Sequence, residues 1–222
     1  NFHGWTMSAN DQMDVSDMRA LSDSQQFFLV YPQGTKLKGS THWNIGSWTE
    51  GSQANDLDFI DTLTDELAKN YNIDEERIYA CGYSNGGFFS QELACQLSHK
   101  IAAIGTVAAN MSTKTLYNCD PDHPIPVITI SGTMDNIVRY DGSEPMETIS
   151  HNNTIDYWIS FNNTDLEPII SDLEDKDTSD GSSVVLYQYL NGNNSVEIEH
   201  YKILNGGHDW PGTFGNMDID AN

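Results

Sequence analysis

Arg77-Ile78-Tyr79-Ala80-Cys81-Gly82-Tyr83-Ser84-Asn85-Gly86-Gly87-Phe88-Phe89-Ser90-Gln91-Glu92-Leu93-Ala94-Cys95-Gln96-Leu97 is the stretch that decides the fold. It opens on a short, largely apolar run of strand type, passes through Gly82-x-Ser84-x-Gly86, and continues with apolar residues at helical spacing. Strand, G-x-S-x-G, helix is the context in which this motif becomes a sharp turn that leaves a serine hydroxyl projecting from the top of a parallel sheet. Glycines flank the serine because strand and helix pass too close together for side chains at those positions. The helix behind Ser84 points its first N–H groups and the positive end of its dipole toward the same place. Ser84 is therefore the candidate nucleophile.

A serine hydroxyl needs a base to take its proton and an acid to orient that base. With this turn, the chain order is serine, then Asp or Glu, then histidine. Ile125-Pro126-Val127-Ile128-Thr129-Ile130-Ser131 reads as a buried strand, and Gly132-Thr133-Met134-Asp135 follows at its C-terminal end. Groups that act on ligands in open parallel sheets sit at that edge, so Asp135 is the candidate acid. Asp141, in Tyr140-Asp141-Gly142, reads as a turn residue instead. Val196 to Leu204 alternates as a strand and runs into Asn205-Gly206-Gly207-His208-Asp209-Trp210-Pro211-Gly212, a loop able to carry His208 to the same edge as the base.

The remaining histidines read differently. His200 lies within a strand as a face residue, and His99, His123 and His151 lie in polar stretches and read as solvated. His42 stands beside Trp43 in a loop that could border a pocket. There is no C-x-x-C and no H-E-x-x-H, so no metal or other cofactor is expected.

The ordered set His3-Gly4, Tyr31-Pro32-Gln33-Gly34, Gly82-Tyr83-Ser84-Asn85-Gly86-Gly87, Ser131-Gly132-Thr133-Met134-Asp135 and Gly206-Gly207-His208-Asp209-Trp210-Pro211-Gly212 resembles the polyhydroxybutyrate depolymerase and feruloyl esterase group of the α/β-hydrolase superfamily. The resemblance implies a carboxylic ester hydrolase, secreted or periplasmic, with Ser84 as nucleophile, Asp135 as acid and His208 as base. It also implies that His3-Gly4 is the oxyanion loop. Ser131 departs from the group, which often has histidine before the Gly-Thr; the triad is not affected. One oxyanion donor is then the N–H of Asn85, the residue after the nucleophile. The N–H of Trp5 fits as the second, unless Asn1 to Trp5 is a frayed tail.

Trp5, Trp43, Trp48 and Trp210 all lie near motifs that should converge. Trp43, Trp48 and Trp210 are candidate substrate-binding residues able to stack on a feruloyl ring, a sugar or the apolar repeat of a polyester. The alternative is that they pack loops onto the sheet.

Strands alternating with helices give a doubly wound, mostly parallel α/β sheet. Phe27-Phe28-Leu29-Val30-Tyr31 reads as a buried strand. Residues 53–70 read as a helix with Leu57, Ile60, Leu63 and Leu67 on one face, and 101–109 as a further apolar strand. The acidic stretch from Ser171 to Gly181 lacks the calcium-loop spacing and reads as a solvated loop. Asn1-Phe2-His3-Gly4 reads as the end of a strand whose start is absent, and Met217 to Asn222 as the approach to a helix. Residues 1–222 are thus expected to be a single α/β-hydrolase catalytic domain, trimmed at both ends, without its N-terminal strands and C-terminal helix.

The net charge of −23, from 33 acidic against 10 basic residues, argues against nucleic acid or an anionic membrane as a partner. The expected partner is an ester substrate, possibly polymeric. Of three cysteines, Cys81 reads as a buried small hydrophobe, while Cys95 and Cys119 could form a disulfide across adjacent elements in an oxidising compartment. Two other function classes share this sequence pattern: a non-catalytic binding protein on the same fold, and a peptidase or thioesterase using the same triad.

Overall fold

The computed structural model describes residues 1–213. Residues 217–222, read above as the approach to a helix, lie outside the described residues. The chain begins with α1 (Ala9–Val15), α2 (Arg19–Gln25), a hairpin of β1 (Thr35–Leu37) and β2 (Ser40–His42), and α3 (Asp56–Asn70). It continues with β3 (Ile78–Tyr83), α4 (Asn85–Gln96), β4 (Ile101–Val107), α5 (Thr113–Asn118) and β5 (Val127–Gly132). After α6 (His151–Asn162) come β6 (Ile169–Asp172), β7 (Ser183–Tyr189) and β8 (Ile198–Leu204).

Six of these strands form one sheet in the order β3-β4-β5-β8-β7-β6. β3, β4, β5 and β8 run parallel, and β7 pairs antiparallel with both β8 and β6. Parallel neighbours require crossovers, which here carry helices. Phe2 extends the sheet beyond β3: its N–H donates to the Cys81 carbonyl at 2.8 Å and its own carbonyl accepts from Tyr83 N–H at 3.1 Å. That pairing brings the residues after Phe2 to the C-terminal edge of the parallel strands.

The run 27–31 is not a strand. Phe27 and Phe28 are exposed, and among the described residues this segment's one hydrogen bond to the chain beside the sheet comes from the Asn1 nitrogen, which donates to the Val30 carbonyl at 2.8 Å. Apolar composition supplies β propensity, but a strand also needs a ladder, and one bond does not make one. On α3, only Ile60 of the four apolar residues is fully buried, so this helix lies at the margin of the core.

α4 is buried along nearly its whole length. It packs between the sheet and other helices, which is why its buried residues include polar Asn85 and Gln91 beside apolar ones and are not confined to one stripe. The Trp158 indole of α6 donates to Gln91 Oε1 of α4 at 2.8 Å, pairing the indole N–H with the amide oxygen inside the core. Cys95, at the end of α4, is joined by a disulfide to Cys119, just past α5. Cys81 is unbridged, and burial pushes its thiol up. Among the described residues no helix is long and apolar enough to cross a membrane.

Candidate active site

Ser84 sits between the last residue of β3 and the first of α4, with φ 53° and ψ −120°. Such a backbone is unfavourable for any residue with a side chain, by about 1–3 kcal/mol, and persists only where the surroundings enforce it. They do so here. The Ser84 N–H donates to Val107 of the neighbouring strand at 2.9 Å, and its carbonyl starts the helix by accepting from Phe88 N–H at 3.0 Å. Gly86 has no room for a side chain: a β-carbon there would stand 2.2 Å from the Phe2 carbonyl oxygen and 2.7 Å from that of His3. The tight turn therefore presses the start of α4 against the chain's first residues.

Asp135 follows the end of β5. Its Oδ1 accepts N–H bonds from Ile137 at 2.8 Å and Val138 at 2.7 Å, which fix the carboxylate plane. Its Oδ2 lies 2.7 Å from His208 Nδ1, and His208 Nε2 lies 3.0 Å from Ser84 Oγ. With Nδ1 facing a carboxylate, the ring proton belongs on Nδ1 and Nε2 is left to accept from the serine hydroxyl. Both Asp135 and His208 are buried, whereas Ser84 remains partly open to solvent. The loop carrying His208 is laced to the β5 end: Met134 N–H donates to Gly206 O at 2.9 Å, and Thr133 N–H to Ile203 O at 2.9 Å. Gly132 permits this approach, since a β-carbon there would fall 2.2 Å from the Gly206 oxygen.

The chain's first residues lie against this trio. A β-carbon at Gly4 would stand 3.5 Å from that of Ser84, so the loop that precedes Trp5 borders the nucleophile rather than trailing away as a tail. Neither the Trp5 nor the Asn85 backbone N–H has an internal hydrogen-bond partner among the described residues.

The tryptophans do not form one aromatic wall. Trp43 is fully buried, stacked on Phe89 at 5.0 Å with its edge contact to Phe2 at 5.1 Å, so it has no surface to offer a substrate. Trp48 is half-buried, 4.9 Å from the core ring of Phe88, and Trp210 is half-buried two residues beyond His208. Trp5 keeps partial exposure beside His42.

His151 is not solvated. It is buried with His200 in a network in which His200 Nδ1 meets Thr129 Oγ1 at 2.9 Å, His200 Nε2 meets the Tyr140 hydroxyl at 2.8 Å, and His151 Nδ1 meets Asn110 Oδ1 at 2.9 Å. Burial lowers the pKa of both, of His200 to about 3 and of His151 well below its usual value. His123 is half-buried on the Ser98 carbonyl at 2.7 Å, and His42 is buried against Ser52 Oγ at 2.7 Å. For two residues at the site the side-chain partner escapes a reading by motif alone. His3 is completely buried beneath the Gly4 carbonyl, and the Tyr83 hydroxyl reaches the His208 backbone. Both lie inside motifs quoted above, but neither motif tells what their side chains bond. Among the described residues no group of three or more His, Cys, Asp or Glu side chains is arranged to hold a metal.

No family model matches the chain. Feruloyl esterase B of Piromyces equi is 26% identical over 217 residues, covering 94% of this chain and 38% of that protein. Poly(3-hydroxyalkanoate) depolymerase C of Paucimonas lemoignei is 26% identical over 258 residues, covering 99% of this chain and 59% of that protein. The chain thus spans less than two thirds of either relative. The solved acetyl xylan esterase from Aspergillus awamori superposes with a TM-score of 0.63 at 13% identity, over 94% of this chain and 82% of that one. The fold is that of an α/β-hydrolase. The sequence is similar to those of this feruloyl esterase and this poly(3-hydroxyalkanoate) depolymerase.

Proposed function

We propose that this domain hydrolyses carboxylic esters through a serine acyl-enzyme. The observation that carries the reading is the relay Ser84 Oγ to His208 Nε2 at 3.0 Å and His208 Nδ1 to Asp135 Oδ2 at 2.7 Å. His208 accepts the Ser84 proton as Oγ attacks the ester carbonyl, and Asp135 holds the imidazolium that results. The negative charge that develops on the carbonyl oxygen is received by the N–H groups of Asn85 and Trp5. Collapse of this intermediate expels the alcohol, which takes the proton from His208. Water then adds to the acyl-enzyme with His208 again as base, and the acid leaves as Ser84 recovers its proton.

The reading favoured here is an ester borne on a polymer, a feruloyl or acetyl ester of polysaccharide or a hydroxyalkanoate polyester; similarity to a feruloyl esterase and a poly(3-hydroxyalkanoate) depolymerase supports it. Trp5, Trp48 and Trp210 keep exposed surface with which an aromatic or sugar ring could pack. The Cys95–Cys119 bridge supports a secreted or periplasmic location, because disulfides persist in oxidising compartments. The test is a side-by-side assay on methyl ferulate, acetylated xylan, hydroxybutyrate oligomers and short p-nitrophenyl esters, with Ser84→Ala as control. Turnover lost in Ser84→Ala is the expected result. No turnover of any ester by the folded wild-type chain sinks the reading.

A further inference from the structure

We propose that His3 and Trp43 are the positioning residues of the oxyanion hole, His3 aiming one N–H donor through the Gly4 carbonyl and Trp43 bracing both donor loops through the His3 carbonyl and the Asn85 side-chain amide. The inference rests on the esterase reading and deepens it.

His3 can hold its ring proton at only one nitrogen. Nε2 lies 3.0 Å from the Gly34 N–H, which can only donate, so Nε2 accepts and the proton resides on Nδ1. The Gln33 side-chain amide, 3.1 Å from Nε2, adds a second donor there. Nδ1–H then donates to the Gly4 carbonyl at 2.8 Å, an oxygen that also accepts from Met7 N–H at 3.2 Å. The Gly4 carbonyl and the Trp5 N–H are the two ends of one planar trans peptide, so fixing the oxygen on His3 turns the N–H the opposite way. Burial favours the neutral ring that this arrangement needs, against opposing pulls from the Gly4 carbonyl, Asp11 and Asp56; His42 acts with burial.

Trp43 joins that loop to the second donor. Its backbone N–H donates to Asn85 Oδ1 at 2.7 Å and its carbonyl accepts from Asn85 Nδ2 at 3.1 Å, a two-point hold on the residue after the nucleophile. Its indole N–H donates to the His3 carbonyl at 3.1 Å. The ring is clamped between Phe2 and Phe89, so one rigid, fully buried residue spans both donor loops. An oxyanion hole works because its dipoles are aligned before charge appears, and a small error in aim is felt in the transition state more than in substrate binding.

The test compares three variants by kcat and KM on p-nitrophenyl butyrate, with thermal midpoints as a check on folding. His3→Gln places an amide where Nε2 was and loses the donor to Gly4. His3→Asn places an amide where Nδ1 was and keeps it. Trp43→Phe keeps the stacked ring and removes the indole donor. The expected result is a fall in kcat of roughly 10- to 100-fold for His3→Gln and Trp43→Phe at little-changed KM, with His3→Asn retaining most of its kcat. Wild-type kcat in folded Trp43→Phe and His3→Gln, a loss carried by KM alone, or His3→Asn as poor as His3→Gln overturns the proposal. If His3→Gln does not fold, the same kcat criterion applied to His3→Asn and Trp43→Phe decides. A wild-type chain without ester turnover, or turnover surviving Ser84→Ala, instead defeats the esterase reading and this proposal with it.

Discussion

The Tyr83 hydroxyl donates to the backbone carbonyl of His208 at 2.5 Å, tying the residue before the nucleophile to a histidine 125 positions later in the chain. The two rings also lie 5.2 Å apart. This bond spans the gap between β3 and the loop after β8, two strands that are not neighbours in the sheet. It sets the height of the histidine above the serine independently of Asp135.

Tyr83→Phe removes that bond and leaves the ring. The expected loss is about 1 kcal/mol of stability, with kcat lowered roughly five-fold if the whole loss falls on the transition state. Urea unfolding and steady-state kinetics on one protein preparation read both. An unchanged kcat together with an unchanged unfolding midpoint would show that the bond positions nothing.

Ser84 concerns strain. With φ 53° and ψ −120°, this position suits glycine better than serine. Ser84→Gly should therefore abolish ester turnover while raising the thermal midpoint, by an amount of order 1 kcal/mol in stability. Ser84→Ala should abolish turnover without that gain, because alanine keeps the strained β-carbon. Differential scanning calorimetry of the three proteins distinguishes them; equal midpoints for Gly and Ala would mean the backbone is unstrained.

The buried pair His151 and His200 makes stability fall on acidification. Burial lowers the folded pKa of His200 from 6.5 to about 3, so the folded chain refuses a proton that the unfolded chain accepts. Stability is complete above pH 6.5 and declines as pH falls from there toward 3, at up to about 1.4 kcal/mol per pH unit for each such group. Thr129, Tyr140, His151, Tyr187 and Lys202 surround His200, and among the described residues no carboxylate is hydrogen-bonded to it to rescue the charged form. His200→Gln, which keeps hydrogen-bonding groups without titrating, should flatten the slope measured by urea unfolding between pH 7 and pH 5. A slope identical to that of the wild type would assign the acid sensitivity elsewhere.

The disulfide closes a segment of 24 residues between α4 and the end of α5. Constraining a loop of that size in the unfolded chain contributes about 3 kcal/mol. Cys95→Ser with Cys119→Ser should lower the thermal midpoint by several degrees, and wild type in reducing agent should match it. Turnover at 25 °C should persist, since neither residue borders Ser84. A midpoint insensitive to both treatments would show that the bridge adds nothing to stability.

Ser84, Asp135 and His208 are legible in the sequence because each lies where a strand stops, and strand ends are local features written in short runs of residue type. The glycines around them are legible for the same reason: tight passage leaves a compositional mark. The parallel sheet follows from strands alternating with helices, which again requires only neighbouring residues. The apolar spacing of α4 marks it as a helix, while its burial along nearly its whole length, Asn85 and Gln91 included, was visible only in the fold.

Trp43, His151 and the run 27–31 could not be settled that way. Trp43 is an aromatic residue in a loop beside the site; whether it faces substrate or core is decided by Phe2 and Phe89, far away in the chain, closing on it from both sides. His151 starts a helix in a polar stretch, yet its burial depends on Thr129 and His200 arriving from β5 and β8 to meet its ring. The run 27–31 has strand composition and lacks a ladder, and a ladder is a property of two segments rather than one. The sequence by itself determined the turn that presents Ser84 and the strand and helix on either side of it, because those are set by residues close together in the chain. Which side chains kept exposed surface and which were buried was decided only by tertiary packing, since burial and hydrogen-bond partnership depend on what arrives from elsewhere.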